Sequence, residues 1–381
     1  MKKEARKIYH VGVYCRYSSI AVQQVIYVHA QLLSNVHEVH TVCFHADWQE
    51  DSYSEKEEES VLMHEFGRTK AYGVVLPGKF KSWVKTLSAR SSVFHLHATF
   101  SPVNYALMKI LRRNSIPYVF TPHNPYKGHV LKRRRVAKQL YVSLFERQVI
   151  RNAATVHALS GREVDTLMQL GARKVVVVPN TIDAPDDKRI YSRNKCDVPS
   201  VCFVGRLEPL QKGIDWMLEA IKILRKVHNV PVRFTLIGPG KDSEIDFIKR
   251  KCADFGLVID ESVIFAGQLF GEDKYNMLRR SKIYLQLSRW EGLGLSVLEA
   301  LSVGTPVVIS THVPIDNGGS DRNGIYIVRS ATEAAQVMKN IFDLEEEKYI
   351  EVCKDSKNIY QAYYSDDVVR QKLVNMYEQI T

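Results

Sequence analysis

Apolar residues come mostly in short runs of strand length, each followed by a polar turn and then by apolar positions at helical spacing. Residues 8–14 form the first such run. A polar turn at 16–19, a helical pattern over 22–33 and a second strand-like run at 39–44 follow. That order predicts a β-α-β opening of a doubly wound α/β domain. Residues 47–60 break the rhythm, because Asp47, Glu50, Asp51, Glu55, Glu57, Glu58 and Glu59 crowd a stretch that predicts a solvated excursion; the chain returns through 72–78. Runs at 93–97, 118–120, 155–159 and 175–179 predict the remaining strands of this domain. A helix ending at Arg112 lies among them, and a longer one carries Val136, Leu140, Tyr141, Leu144, Phe145 and Val149.

A polar, proline-bearing run from 184 to 199 predicts a linker. After it the pattern starts again, with strand-like runs at 201–204, 234–237, 263–269, 283–287, 307–310 and 324–328 and helical patterns at 216–226, 274–280 and 295–301. A charged helical tail covers 333–360, and a last helix places Val369, Leu373, Met376, Tyr377 and Ile380 at helical spacing. With 381 residues the chain is too long for one compact core. The expected division is 1–190, 191–360 and a C-terminal helix within 361–381.

Composition changes this picture little. At 45% hydrophobic and 25% charged the chain reads as globular, and it has no run of ~18 apolar residues, so no transmembrane helix is expected. The basic start before residue 8 leads into a strand pattern rather than a signal peptide. Six cysteines (15, 43, 196, 202, 252, 353) show no Cys-x-x-Cys spacing and read as free thiols of a reducing, cytoplasmic protein.

Charge changes it more. Residues 1–190 hold 28 Lys+Arg against 16 Asp+Glu, a net of +12, whereas 191–381 hold 25 against 26, a net of −1, together the +11 of the whole chain. The excess lies in the first half, densest at Lys127, Lys132, Arg133, Arg134, Arg135 and Lys138. A helix with a cationic start and an aromatic-apolar face suits either a core position or an anionic membrane surface, and Lys132 to Arg135 are the candidate acceptor and membrane contacts. No recognised nucleic-acid module accompanies the charge.

The densest candidate chemistry lies at Arg289-Trp290-Glu291-Gly292-Leu293-Gly294-Leu295-Ser296-Val297-Leu298-Glu299-Ala300-Leu301, between two strand-like runs. A glycine-bearing turn from strand to helix leaves backbone N–H groups at the positive end of a helix dipole, a site for phosphate or diphosphate. Glu291 opens the loop and Glu299 sits within the helix, so two carboxylates can address different parts of one ligand. A nucleotide sugar has that layout.

Glu291, Gly292, Gly294, Leu298-Glu299-Ala300 and Gly304-Thr305-Pro306 resemble the Glu-x7-Glu signature of the retaining family-4 glycosyltransferases of the GT-B fold. Thr121-Pro122-His123 and Asn180-Thr181-Ile182-Asp183 resemble further elements of that family more loosely. The resemblance implies two Rossmann-like doubly wound domains facing a central cleft, with the C-terminal helix crossing back to the first. It implies a UDP- or GDP-sugar donor on the second domain, with Glu299 on the ribose, Glu291 on the sugar, and His123 orienting the sugar from the first domain. Arg206 and Lys212, in Gly205-Arg206-Leu207-Glu208-Pro209-Leu210-Gln211-Lys212, match the family's cations at the leaving diphosphate, a role that elsewhere falls to a metal. Gly205, Gly238, Gln268, Gly294 and Leu295 complete the implied donor site, with no metal and no other cofactor. The family's Gly-Gly pair after the first strand is replaced by Ser18-Ser19-Ile20-Ala21.

The activity so implied is sugar transfer to a saccharide or lipid-linked acceptor in cell-envelope polysaccharide synthesis, in the cytoplasm or at the inner face of the membrane. A GT-B sugar-nucleotide epimerase and a non-catalytic, membrane-associated nucleotide-sugar-binding protein are the alternatives. A nucleotide-dependent dehydrogenase would need Gly-x-Gly-x-x-Gly after strand one, and after Gly12 the next glycine is Gly67.

Overall fold

A computed structural model of the chain describes residues 6–13, 21–123, 126, 135–185, 198–292, 294–315 and 323–380. The fold is mixed α/β, and the chain divides into two compact units. Unit 1 takes Met1–Thr181 with Asp366–Thr381, and unit 2 takes Ile182–Ser365. The division falls earlier than the polar run suggests, and the C-terminal piece of unit 1 begins at Asp366 rather than at 361.

Unit 1 is built on an eight-stranded sheet. Its strands are β1 (Lys7–Val11), β2 (Glu38–Phe44), β3 (Tyr53–Glu58), β4 (Val61–Phe66), β5 (Ser92–His97), β6 (Tyr118–Thr121), β7 (Thr155–Ala158) and β8 (Val175–Val177). They lie in the order β3-β4-β2-β1-β5-β6-β7-β8, and all neighbours are parallel except β3 and β4. β5 and β6 read as continuous apolar-rich runs because every one of their residues is buried. The acidic stretch is a correction to the sequence reading: it contains β3, paired antiparallel with β4, a strand the apolar pattern did not single out. β3 lies at the sheet edge with only Ser54 partly covered, so its Glu and Lys side chains stay in water and guard the edge against pairing with another chain.

The helix Asp366–Glu378 packs Val369, Leu373, Met376 and Tyr377 against the helix Ala21–Ser34 and the apolar face of unit 1. Four such side chains contribute roughly 1.5–3 kcal/mol each, which explains why so charged a segment docks at all.

Six histidines cluster in and beside the middle of the unit 1 sheet, and three bonds fix the tautomers of two of them. The Val178 carbonyl can only accept, so His157 Nε2, 2.7 Å away, carries a proton. Neutral His157 then accepts at Nδ1 from the Thr121 hydroxyl, 2.8 Å away. Thr121 Oγ1 in turn accepts from His95 Nε2 at 2.6 Å, and His95 Nδ1 accepts from the Tyr377 hydroxyl at 2.6 Å. A second row runs from His10 Nδ1 to His97 Nε2 at 3.1 Å and from His97 Nδ1 to His123 Nε2 at 2.9 Å. His29 lies beside both rows.

Burial is the first cause holding these rings neutral. His10 and His123 are lowered to about 3 and His157 to about 4, and His29, His95 and His97 fall well below the ordinary value. One ring nitrogen from each of His10, His95 and His97 lies within 4.8 Å of the others. The nitrogens of His95 and His97 are already spent on the bonds just described, which favours a hydrogen-bonded seam over a metal centre.

Unit 2 carries a six-stranded, all-parallel sheet: β9 (Ser200–Val204), β10 (Arg233–Ile237), β11 (Val263–Gly267), β12 (Ile283–Gln286), β13 (Val307–Ser310) and β14 (Ile325–Val328). The order is β11-β10-β9-β12-β13-β14. Its core gathers the inner faces of these strands with the helices Ile214–Lys226 and Ala331–Phe342. Cys43, Cys202, Cys252 and Cys353 are free thiols, and no described helix is long and apolar enough to cross a membrane.

The neutral seam has a pH signature. A histidine kept neutral when folded takes up its proton on unfolding, so below the unfolded value of about 6.5 each one erodes stability by up to ~1.4 kcal/mol per pH unit. Glu146, raised to about 7, and Glu163, also raised, act in the opposite sense, but they are two against nine, since burial also lowers His37, His40 and His64 in the same unit. The melting temperature of unit 1 should therefore fall as pH drops from 6.5 to 4.5. Calorimetry across that range checks this, and a flat profile would show that the rings are not held neutral.

Candidate active site

In unit 2 the chain leaves β9 in one direction along the sheet and returns at β12 to proceed in the other. In such a sheet, ligands bind beyond the carboxyl ends of the two strands at that switch. The loops there are locked together by three features. Gly213 has φ +65°, and a Cβ on it would lie 2.0 Å from the Leu287 carbonyl oxygen, so only glycine lets the β9 exit rest on the β12 exit. Arg289 donates to both Asp215 carboxylate oxygens, at 2.8 and 2.6 Å, and to the Leu210 carbonyl at 2.9 Å, with its guanidinium 4.6 Å from the Trp216 ring centre. At the neighbouring exit, Gly238 (φ +139°) leaves room for the Gly205 carbonyl, 2.0 Å from where its Cβ would be.

That lock puts Lys212 on Glu291. Lys212 Nζ is 2.5 Å from Glu291 Oε1, which also accepts from Gln286 Nε2 and Ser288 Oγ, each at 2.9 Å. The second carboxylate is held likewise: Glu299, on the helix Leu295–Ser302, accepts from Lys274 Nζ at 2.7 Å. Both pairs are nearly withdrawn from water, with side-chain exposures of 15% for each lysine and 9% for each glutamate. The two glutamates flank Tyr284, whose hydroxyl lies 2.7 Å from Gln286 Oε1 and 2.8 Å from Ser296 Oγ. Burial pushes the Tyr284 pKa well up, and the charges of Glu291 and Glu299 both add to it.

Arg206 stands apart. Its side chain is 61% exposed, 3.2 Å from Glu208 and from Gln211. It is therefore free to swing, whereas Lys212 is already seated. Gly294 caps the helix Leu295–Ser302 with Leu295 as its first residue, and Gln268 is exposed just past β11. The basic residues Lys132, Arg133 and Arg134 lie outside the described residues. Arg135 begins the helix Arg135–Tyr141.

His123 belongs to unit 1, at the exit of β6, where its φ is +60°. Ala98 (φ +69°) and Phe100 (φ +58°), at the exit of β5, are also left-handed without being glycine. Such backbone is costly and collects at functional loops. Beneath these loops lies Glu146, which accepts from the Tyr126 hydroxyl at 2.9 Å and from the Phe100 N–H at 3.0 and 3.3 Å. Burial raises its carboxyl to about 7, against the pull of those bonds.

The sequence reading missed Glu146, Lys274, Gln286, Ser288 and the Arg289–Asp215 tie. Gln286 and Ser288 act on Glu291 over only five and three positions, but the others act across the fold rather than along the chain. Lys274 is separated from Glu299 by 25 positions, with the strand β12 and the loop after it between their two helices.

Residues 198–344 match the family described as "Glycosyl transferases group 1", and residues 24–181 match "Glycosyl transferase 4-like domain". The unit with the two lysine–glutamate pairs and the unit with the histidine seam thus each match a glycosyltransferase family. The chain belongs to the GT-B glycosyltransferases. It is 25% identical over 328 residues to an uncharacterized 41.2 kDa protein in the cps region of Klebsiella pneumoniae, covering 83% of this chain and 86% of that one. It is 29% identical over 149 residues, 36% of each chain, to the UDP-Gal:alpha-D-GlcNAc-diphosphoundecaprenol alpha-1,3-galactosyltransferase of Escherichia coli. Among solved structures it is similar to Anabaena HepE in complex with UDP and glucose, with a TM-score of 0.72 at 14% identity, covering 98% of this chain and 99% of that one.

The pairing in this glycosyltransferase can be tested by removing one partner. Lys274→Met leaves the Glu299 carboxylate withdrawn from water and unpaired, which should cost about 3–5 kcal/mol. Adding Glu299→Gln should recover most of that loss. Urea unfolding followed by tryptophan fluorescence reads both steps. A single variant as stable as the parent would show that the pair does not hold the helix in place.

Proposed function

We propose that this glycosyltransferase moves a sugar, with retention of configuration, from a UDP- or GDP-sugar to a saccharide or lipid-linked acceptor in cell-envelope polysaccharide synthesis. The observation that carries this is the pair of lysine-held carboxylates at the switch point of unit 2.

Donor binding exchanges partners within those pairs. Glu299 takes the ribose hydroxyls, and Glu291 takes sugar hydroxyls and stabilises the positive charge that grows on the ring carbon. Lys212, released from Glu291, meets the departing diphosphate together with Arg206, which is free to swing onto it. Backbone N–H groups at Gly294 and Leu295 add to the same anion, Gly205 and Gly238 let the loops approach it, and Gln268 lies toward the base. Once seated on the bound donor, two such cations stabilise the leaving diphosphate without a metal and need not reorganise during the transfer step itself. His123 offers a neutral imidazole to the sugar. The acceptor attacks on the face the diphosphate leaves, so its hydroxyl proton passes to the departing phosphate oxygen and no separate nucleophile is needed.

On the acceptor side, the strained loops after β5 and β6, with Glu146 beneath them, form the candidate acceptor surface of unit 1. The Escherichia coli relative acts on a diphosphoundecaprenol-linked saccharide by its name, and the basic first half suits an acceptor carried on an anionic membrane. The surface charge of unit 1 thus favours a peripheral, cytoplasmic enzyme. An epimerase would share the two units, but it has less use for a second cation at the diphosphate.

Glu299→Ala or Arg206→Ala should lower turnover a hundredfold or more, because one charge contact in a desolvated site supplies ~3–4 kcal/mol of transition-state stabilisation. Radiolabelled UDP- and GDP-sugars incubated with a lipid extract, scored for transfer and for hydrolysis, check this. Near-parental rates in either variant would remove that residue from the mechanism. A thermal-shift screen of nucleotide sugars identifies the donor, since binding raises the melting point by mass action.

A further inference from the structure

The helical run beginning at Arg135 does not behave as a core helix. Arg135–Tyr141 is α-helical, Val142–Glu146 forms a π-helical turn, and Arg147–Asn152 is α-helical again. Toward its end Val149 and Ile150 are buried, and midway Val142 packs partly against the core. On the opposite side three apolar residues face water: Val136 is 79% exposed, Leu140 57% and Leu144 49%. These three recur at i, i+4 and i+8, so they form one row on one helix face. Arg147 and Arg151 continue that row at the next two turns.

Where the apolar row ends, a cavity of about 550 Å³ opens, lined by Arg147, Arg151 and Arg173 with Ser143, Gln148 and Asn152. No carboxylate among the described residues lines it. Among the described residues none of the three guanidiniums has a hydrogen-bond or ion-pair partner. Like charges four apart on a helix repel, and nothing described in the protein relieves them. Three fork-shaped donors around a cavity with amide and hydroxyl groups suit a phosphate. Arg173 comes just before β8 and Asn152 just before β7, and the cavity opens on the exposed side of the helical run, whereas Glu146, which meets the strained loop at Phe100, is buried on its other side. It is therefore not the candidate acceptor surface.

We propose that this face docks on an anionic phospholipid bilayer, with Arg147, Arg151 and Arg173 taking a lipid phosphate in the cavity while Val136, Leu140 and Leu144 enter the acyl boundary beside it. The charge of the cavity and the apolar row next to it match the two halves of such a lipid, and free phosphate would use only the first. The proposal gives residues to the membrane contact suggested above, but it does not depend on sugar transfer.

The full chain is mixed with vesicles of phosphatidylcholine alone or with phosphatidylglycerol added, and bound protein is read by co-sedimentation. The parent should bind the phosphatidylglycerol vesicles and not the neutral ones. The triple variant Arg147→Gln, Arg151→Gln, Arg173→Gln should bind roughly a hundredfold more weakly, from ~1 kcal/mol per basic residue near the surface. Leu140→Ser with Leu144→Ser should weaken binding at unchanged charge. Melting curves confirm that each variant is folded, and donor hydrolysis, measured without membrane, reads the unit 2 site separately. Equal binding to both vesicle types overturns the proposal, as does a folded triple variant that binds like the parent. So does binding that inorganic phosphate at millimolar concentration abolishes while the leucine variant binds like the parent, because the site would then be one for free phosphate.

Discussion

Two carboxylates kept out of water by two lysines are what the rest of unit 2 is arranged to hold. An unpaired carboxylate at that depth would cost several kcal/mol, so the loops can exist in this form only if each lysine arrives where its partner is. The lysine on Glu291 arrives because Gly213 lets one loop lie directly on the next strand exit and because Arg289 clamps Asp215 across the same junction. The lysine on Glu299 comes from a different helix, Gly271–Arg280, itself set by the exit of β11. A ligand carrying both hydroxyls and a diphosphate can take over the interactions of glutamate and lysine together. The site is thereby stable while empty and already charged for its substrate.

How much of this was legible in the sequence depends on range. The strands of both sheets were visible wherever burial on both faces left an unbroken apolar run, as in Val307–Ser310. β3 and β4 both escaped: β3 because an edge strand has little to bury and its composition is that of a loop, and β4 because His64 and Glu65 interrupt its apolar run although most of it is buried. The loop with Glu291 and the helix with Glu299 could be read because their spacing is local and chemically unusual. Lys274 and Glu146 could not, since each becomes meaningful only through residues brought to it by the fold. The helix with Val136 and Leu140 was ambiguous for a related reason. Its periodicity shows that one face is apolar, but not whether the domain or something else covers it.

Unit 1 handles its polar interior differently. Where unit 2 uses paired charges, unit 1 uses imidazoles kept neutral by burial and joined through hydroxyls, from Tyr377 through His95, Thr121 and His157 to a backbone carbonyl. The direction of every proton in that row follows from the carbonyl at its end. The second row ends on His123, a residue with strained backbone at a loop, so the stiffness of the sheet interior reaches the surface there.

The last helix of the chain supplies the hydroxyl that begins the first row. Unit 2 is one uninterrupted segment, whereas unit 1 is closed by residues synthesised after it. On the ribosome, the amino-terminal unit must therefore wait with part of its apolar face and its histidines uncovered, while the carboxyl-terminal unit can already be complete. Order of synthesis and order of completion are reversed in this protein, and the interval between them is when its first half is most exposed to misassociation.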